Sequence, residues 1–381
     1  MDEFVLKNAR IVTPVEVVEG SIFVRDGVIA DLAAGECQVA SALDCEGDYI
    51  IPGLIDVHTD HLERMLRPRQ SVNWPVLPAV IAHDAQVVTA GTTTVFDCLC
   101  VGIVKAAHTP RSFEMQKRVI AELETGRQSG LLRGDHYLHV RCEISKEEMP
   151  EMLSAIFPDP RVRMLSVMDH TPGQRQYRDL ERYVAMEKRD FHLTQEQIDD
   201  FLVECRERHV RLSMPNRAHV MALAQKYPVA VASHDDTTAE HIEEAHGEGV
   251  TIAEFPTTAE AAEAARAKGM KVVVGAPNLV LGGSHSGNVA AAQLVQCGLV
   301  DALASDYVPS SLLHGAFLLH NTIGVALPEA IAMVTLAPAR MTGLEDRGAI
   351  EIGKRADLVR VRAGSEFTTA TMVWREGQRV A

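Results

Sequence analysis

The sequence predicts an α/β fold in which a (β/α)8 TIM barrel carries a small β-sandwich domain built from both chain termini. Between residues 51 and 305, eight short apolar runs alternate with helical patterns, and eight parallel strands are the number that closes a barrel. Before residue 50 and after residue 346, short β-type runs are separated by glycine turns instead. We therefore expect residues 1–50 and 346–381 in the β-sandwich domain, and residues 51–345 in the barrel.

Both terminal segments are predicted to be β structure because their apolar runs are short. An Asp26-Gly27 pair between two of the runs favours a hairpin turn. The runs lie at residues 4–6, 9–12, 20–24, 28–30, 348–359 and 372–374. One domain formed by both ends is the simplest arrangement, and β decorations without domain status are the alternative.

The barrel segment is predicted to place strands and helices in strict alternation. The strands are expected at residues 51–57, 92–98, 136–144, 163–168, 229–233, 251–255, 271–274 and 302–305. The helices are expected at residues 78–90, 112–129, 146–157, 194–207, 217–226, 238–247, 258–268 and 290–298. Side chains at the carboxyl ends of the strands should therefore meet at one rim, where such barrels keep their active sites.

Composition and charge exclude several classes of protein. The chain has 381 residues and a formal net charge of −15, which argues against a nucleic-acid-binding protein. No run of about 18 apolar residues is present, so we expect no membrane partner. The acidic N-terminus resembles no signal peptide, and the seven scattered cysteines include no C-x-x-C pair, so we expect reduced thiols in a cytoplasmic protein. The oligomeric state is open, with a homodimer as our expectation.

The first predicted strand ends in residues that can bind metal. Residues 49–61 have the sequence Y-I-I-P-G-L-I-D-V-H-T-D-H. Strand alternation places His58 and Asp60 on one side, about 6.6 Å apart along the strand. His61 follows directly and could be a ligand, a group that orients a ligand, or a substrate contact. The alternative is a polar turn in which His and Asp cap a helix.

Four further residues end or punctuate predicted strands: Glu143, His170, His234 and Asp306. A single histidine at a strand end is more often a hydrogen-bonded structural residue than a ligand. With the two residues of the first strand, however, these four form a set of six at one rim. That coincidence predicts a metal centre.

The chemistry of these six side chains suits divalent metal ions. Imidazole nitrogens and carboxylate oxygens bind Zn²⁺, Mn²⁺ or Fe²⁺, and several carboxylates can hold two such ions in a binuclear site. Water bound to such a metal has its pKa lowered toward 7, which supplies hydroxide at neutral pH. We expect His58, Asp60, Glu143, His170 and His234 to be ligands, and Asp306 to be the catalytic proton shuttle.

Motifs at both ends of the barrel resemble the amidohydrolase superfamily over almost the whole chain. They are P-G-L-I-D-x-H-x-D from residue 52, the strand-end His170 and His234, the last-strand Asp306, and G-x-I-x-x-G-x-x-A-D-L-V from residue 348. The chain has H-T-D-H where the superfamily commonly has H-x-H on the first strand. Glu143 stands at the kind of position where members often carry a carbamylated lysine that bridges two metals.

Five strings resemble one branch of that superfamily, the PhnM diphosphatases of the carbon–phosphorus lyase pathway. They are H-T-D-H-L-E, M-D-H-T-P-G-Q, S-H-D-D-T-T, E-F-P-T-T and G-A-P-N-L-V-L-G-G-S-H-S-G-N. The resemblance implies hydrolysis of α-D-ribose 1-methylphosphonate 5-triphosphate to the 5-phosphate and pyrophosphate, with metal-activated hydroxide attacking phosphorus. Two alternatives are a C–N-cleaving amidohydrolase, such as a deacetylase or deaminase, and a non-catalytic scaffold.

A glycine-rich loop at residues 278–288 independently favours a phosphorylated sugar as the substrate. Its glycines free backbone N–H groups to approach an anion, and the helix that follows adds its N-terminus. Such loops are nevertheless often simple turns. The residues that we expect to bind substrate are His61, Arg141, Gln174, Asn278, Gly283, Ser284, His285 and Ser286. Weaker candidates for phosphate contacts are Arg64, Arg67, Arg69, Arg175 and Arg178.

Overall fold

Both ends of the chain contribute strands to one eight-stranded sheet. The computed structural model describes residues 3–69, 72–102, 111–191, 194–284, 286–364 and 367–381. The N-terminal strands are β1 (Glu3–Val12), β2 (Val17–Arg25), β3 (Val28–Ala34), β4 (Leu43–Asp44) and β5 (Tyr49–Pro52). The barrel strands are β6 (Leu54–Thr59), β7 (Thr92–Val101), β8 (Asp135–Glu143), β9 (Val162–Met168), β10 (Ala230–His234), β11 (Ile252–Glu254), β12 (Lys271–Gly275) and β13 (Ala302–Ala304). The C-terminal strands are β14 (Leu358–Ala363), β15 (Thr368–Arg375) and β16 (Gln378–Arg379).

The terminal sheet has the order β16-β15-β14-β5-β1-β2-β3, with β4 paired to β1. The predicted sandwich is therefore one continuous sheet, because β1 pairs with both β2 and β5, and β5 pairs with β14. The sheet curls until Val28 in β3 pairs with Arg355, just before β14. Its apolar core includes Leu6, Ile22 and Trp374. Residues from both ends of the chain thus share one core, as expected.

The barrel sheet follows the chain order from β6 to β13, and its paired strands are all parallel. The predicted (β/α)8 barrel is confirmed. Alternation along each strand sends one set of side chains to the helices and the other into the barrel. In β8, Leu138 and Val140 pack in the outer apolar layer, whereas His139 hydrogen-bonds Ser166 of β9 inside the barrel.

The barrel closes at the rim where the predicted ligands lie. The backbone N–H of Asp60 donates to the carbonyl of Asp306 at 2.7 Å, and the N–H of Asp306 donates to the carbonyl of His58 at 2.9 Å. One level deeper, Asp56 accepts from the backbone and hydroxyl of Ser305. Burial raises the pKa of the Asp56 carboxyl to about 6. First-strand and last-strand donors are thus fixed to each other through the main chain.

Thirteen α-helices occur in the described parts of the chain. They are α1 (His61–Leu66), α2 (Val76–Thr89), α3 (Phe113–Gln128), α4 (Met149–Ile156), α5 (Leu180–Phe191), α6 (Gln195–Ala224), α7 (Ala239–Gly247), α8 (Ala259–Ala267), α9 (Ala276–Val280), α10 (Ala291–Gln296), α11 (Ser311–Leu318), α12 (Leu327–Ala332) and α13 (Leu336–Met341). Within these described segments, none is both long and apolar enough to cross a membrane.

The largest departure from the sequence prediction is α6. We expected two helices, at 194–207 and 217–226, but the structure has one helix of 30 residues with Pro215 inside it. Thr194 and Gln197 form a capping box that starts the helix. Beyond Pro215, the Asn216 side chain donates to the carbonyls of Ile144 and Lys146, which fastens the second half to the barrel rim. Tertiary contacts therefore outweigh the usual helix-breaking effect of proline.

Candidate metal centre

Three histidines at the barrel rim are oriented by buried carboxylates. Nδ1 of His58 lies 2.8 Å from one oxygen of Glu254, and Nδ1 of His234 lies 2.6 Å from the other. Nδ1 of His170 lies 2.6 Å from an oxygen of Glu143. An ionised carboxylate only accepts hydrogen bonds, so each Nδ1 carries the proton. Each Nε2 is left as the atom that can bind metal, which is the arrangement usual for metal-ligating histidines.

The rim side chains fall into two groups of three metal donors. In one group, donor atoms of His58, Asp60 and Asp306 all lie within 4.8 Å of one another. In the other, donor atoms of His170, His234 and Asp235 do so. The His58 and His234 rings stack with centroids 5.8 Å apart, so the groups adjoin. This donor set fits two neighbouring divalent ions.

Glu254 at the end of β11 was not among the residues predicted from the sequence. It is fully buried, and its oxygens also accept the Ser166 hydroxyl at 2.7 Å. Burial alone would raise the pKa of the Glu254 carboxyl, but the neighbouring histidines hold it well below its usual range. The signal was weak, because Glu254 lies inside the strand predicted at residues 251–255 and no other candidate ligand stands beside it.

Glu143 has a different position from the one predicted. One of its oxygens accepts the backbone N–H of His170 at 3.0 Å and the hydroxyl of Ser145 at 3.1 Å, while the other faces Nδ1 of His170. Glu143 therefore lies behind the imidazole of His170, outside the two donor groups. Alternation along β8 correctly places it on the inner face. Its side chain, however, reaches the imidazole that follows the next strand.

Asp235 also escaped the sequence analysis, although it follows His234 directly. One of its oxygens lies 3.4 Å from Nε2 of His234 and 3.8 Å from Nε2 of His170. Asp235 has φ +58° and Asp306 has φ +54°, a left-handed conformation that is uncommon for residues other than glycine. Such strain concentrates at functional sites. Here it turns a carboxylate inward from the end of each of two barrel strands.

Arg141 pairs with a predicted ligand rather than lying open to substrate. Its guanidinium nitrogen Nη1 contacts both oxygens of Asp60, at 2.9 and 2.7 Å, and Nη2 lies 3.4 Å from Nε2 of His234. Burial would raise the pKa of the Asp60 carboxyl, but the Arg141 charge holds it below its usual range. A cation thus lies among the atoms predicted to bind metal. These donors therefore stabilise one positive charge already, and a metal ion at Asp60 would share its oxygens with Arg141.

Two titratable groups have pKa values that bear on chemistry. Burial raises the pKa of the Asp306 carboxyl above its ordinary value, which suits a group that takes up and returns a proton. Burial alone would lower the pKa of His170, but Glu143 and Asp235 outweigh it and raise that pKa to about 9. A metal ion must displace that proton to bind Nε2.

The glycine-rich loop lies beside the centre, but its polar groups also serve the loop itself. The Asn278 amide donates to the carbonyl of Val289 at 3.1 Å and accepts from the N–H of Ala291 at 3.0 Å. The Ser284 hydroxyl accepts from the N–H of Ser286. Asn278, Ser284 and Ser286 line one cavity with Asp235 and Asp306. The N–H of Gly283 donates to the carbonyl of Asn278, and His285 lies outside the described residues.

Two other predicted substrate contacts lie elsewhere. Nδ1 of His61 lies 3.0 Å from Nδ1 of His83 in α2, in the buried layer outside the barrel. Helix α1 begins directly after Asp60. The turn into this helix directs the His61 side chain away from the rim and toward His83. Gln174 lines a cavity with His209 and Arg217, whereas Gln176 faces the centre from the same loop.

The amidohydrolase family model matches residues 77–381. The α-D-ribose 1-methylphosphonate 5-triphosphate diphosphatase of Escherichia coli (strain K12) is 41% identical over 378 residues, which are 99% of this chain and 100% of that protein. The chain belongs to the amidohydrolase family. The resemblance inferred from its motifs is therefore confirmed.

Two solved structures share the architecture. A 5-methylcytosine deaminase from Klebsiella pneumoniae superposes with a TM-score of 0.66 at 15% identity. The alignment covers 99% of this chain and 98% of the deaminase chain. An N-acetyl-D-glucosamine-6-phosphate deacetylase from Mycobacterium smegmatis superposes with a TM-score of 0.63 at 14% identity. The alignment covers 100% of each chain. At these identities the likeness supports the fold and not the reaction.

Replacing Glu254 with glutamine tests the orientation of the histidines. The two carboxylate oxygens of Glu254 accept from Nδ1–H of His58 and of His234, but glutamine has only one oxygen. At least one of the two rings therefore loses its hydrogen-bond acceptor. We expect metal affinity to fall roughly 10- to 100-fold in Glu254→Gln, measured by Zn²⁺ titration of metal-free protein against a competing chelator. Glu240→Gln, an exposed change in α7, is the control. Unchanged affinity in Glu254→Gln would contradict the assigned role.

Proposed function

We propose that this chain hydrolyses α-D-ribose 1-methylphosphonate 5-triphosphate to the 5-phosphate and pyrophosphate, as a metal-dependent enzyme of phosphonate catabolism. The observation that carries the proposal is the 41% identity to the Escherichia coli diphosphatase, which extends over that whole protein. The site supports it, because two adjoining donor groups at the rim suit the two-metal arrangement common in phosphoryl-transfer enzymes.

Each donor residue has a defined task in this proposal. His58, His170 and His234 present Nε2, and Asp60 and Asp235 supply carboxylate oxygens. Divalent ions bound there would neutralise phosphate charge and acidify a water molecule. Asp306 lies on the open side with a raised pKa, so it takes the proton of the attacking water and passes it to the leaving group.

The finer points of the proposal concern the metal and the assembly. The donors are nitrogen and oxygen atoms, which favour Zn²⁺, Mn²⁺ or Fe²⁺ in a binuclear centre. The expectation of reduced thiols stays a prediction. Cytoplasmic location and a homodimer stay predictions.

Pyrophosphate release tests the reaction class. Three protein samples are incubated with the ribosyl 5-triphosphate substrate. They are the protein as purified, the protein after its metal has been removed by a chelator, and the chelated protein after addition of Mn²⁺ or Zn²⁺. We expect one pyrophosphate for each 5-phosphate formed, lost on chelation and restored by metal. Hydrolysis of amide or ring-amine substrates without pyrophosphate would favour C–N cleavage instead. No turnover of either class with metal bound would favour the scaffold.

Asp306→Asn tests the proton shuttle. The amide keeps the size and one oxygen donor of the carboxylate but cannot accept a proton near neutral pH. We expect turnover to fall by about 10²- to 10⁴-fold with bound metal retained. Metal content and pyrophosphate release are measured on the same preparation, with Asp199→Asn in the exposed face of α6 as the control. Full activity of Asp306→Asn would remove Asp306 from the mechanism.

A further inference from the structure

Two cavities flank the candidate metal centre, and Gln176 lines both. We call the first the loop cavity; it is lined by the glycine-rich loop together with Asp235 and Asp306. We call the second the cationic cavity; it lies beside His170 and is lined in part by Arg111, Arg141, Lys146 and Arg208. The donor groups therefore lie between two compartments, so a substrate cleaved there can extend into both.

The two cavities differ in charge. The charged side chains among the described residues lining the loop cavity are Asp235 and Asp306, both carboxylates. The cationic cavity is lined by Lys146 and Arg208, which are both partly exposed, and by Arg111 and Arg141, which contact Asp60. Its one lining carboxylate in the described residues, Glu143, is engaged by His170. A polyanion is therefore attracted to the cationic cavity, whereas the loop cavity offers it no cationic side chain among the described residues.

Lys146 and Arg208 are the cations of this cavity that are available to a ligand. Arg141 is held by Asp60, and Nε of Arg111 lies 2.7 Å from Glu63. Arg208 pairs with Glu204 one turn earlier in α6, and that glutamate side chain is 64% exposed. Exposed pairs of this kind contribute little stability, so a phosphate can displace the glutamate.

A phosphate group can contact Lys146 without displacing another side chain. No ion pair within the described segments includes Lys146, and its side chain is half-buried at the cavity wall. The cavity has a volume of about 410 Å³, within the range of small-molecule sites. Room and uncommitted positive charge thus coincide on one side of the centre.

We propose that the β- and γ-phosphates of the substrate bind in the cationic cavity through Lys146 and Arg208, and that the ribosyl part lies toward the loop cavity. This inference rests on the proposed function. It reverses the sequence expectation that the glycine-rich loop holds the phosphates. In the reaction, the water oxygen bonds to the α-phosphorus, and the bond from that phosphorus to the α–β bridging oxygen breaks. The electron pair leaves with pyrophosphate, and Asp306 takes the proton of the water and passes it to this leaving group. Pyrophosphate then departs from the cationic cavity.

Product inhibition separates the two cavities. We compare Lys146→Met and Arg208→Met with the unaltered enzyme, using pyrophosphate and the ribosyl 5-phosphate product as inhibitors. Loss of one charge-assisted contact should raise the pyrophosphate inhibition constant, and KM for the triphosphate, by about tenfold. The inhibition constant of the ribosyl 5-phosphate and kcat should change less than twofold. A structural role would move all of these constants together.

The controls keep the inference separate from the proposed function. Arg211→Met removes an exposed partner of Glu147 from the same helix, outside both cavities, and should change nothing. Arg208→Lys should restore much of the pyrophosphate affinity. Unchanged pyrophosphate inhibition constants in both methionine variants would overturn the inference. A raised constant in Ser284→Ala would then assign the phosphates to the loop cavity instead. An unaltered enzyme that releases no pyrophosphate would overturn the proposed function itself.

Discussion

The hydrogen bonds from Nδ1 of His58 and His234 to the two oxygens of Glu254 are the interaction on which the centre depends. Burying a carboxylate without partners costs several kcal/mol. Here both oxygens are occupied, and Ser166 adds a third donor. Removing one partner would leave buried charge uncompensated. The same bonds fix the tautomers of both rings and leave both Nε2 atoms facing the candidate metal centre. The stability of the barrel interior and the proposed metal binding therefore both depend on Glu254.

The fold supplies this arrangement through parallel strands that end at one rim. Glu254 ends β11, and its two imidazole partners come from β6 and from the adjacent β10. Main-chain bonds between the first strand and Asp306 close the barrel at the same level. The left-handed backbone at Asp235 and Asp306 then directs two carboxylates inward. Strain at these positions is tolerated because the neighbouring strands over-determine the geometry.

Strand count, barrel class and most rim residues could be predicted from the sequence, because apolar runs followed by His or Asp have a distinct pattern. Glu254 was missed, since its E-F-P-T-T string contains no histidine or paired ligand to single it out. The role of Glu143 could not be predicted, because it depends on which imidazole its side chain reaches across strands. Lys146 and Arg208 lie far apart in sequence, and folding alone brings them to one cavity.

The most direct test of the account is a crystal structure with Mn²⁺ or Zn²⁺ and an α,β-methylene analogue of the triphosphate, with the metal located by anomalous scattering. The account predicts ions about 2.0–2.2 Å from Nε2 of His58, His170 and His234, with each Nδ1 still on its carboxylate. It also predicts the terminal phosphates beside Lys146 and Arg208. Ions bound at Nδ1, or at residues away from this rim, would contradict it.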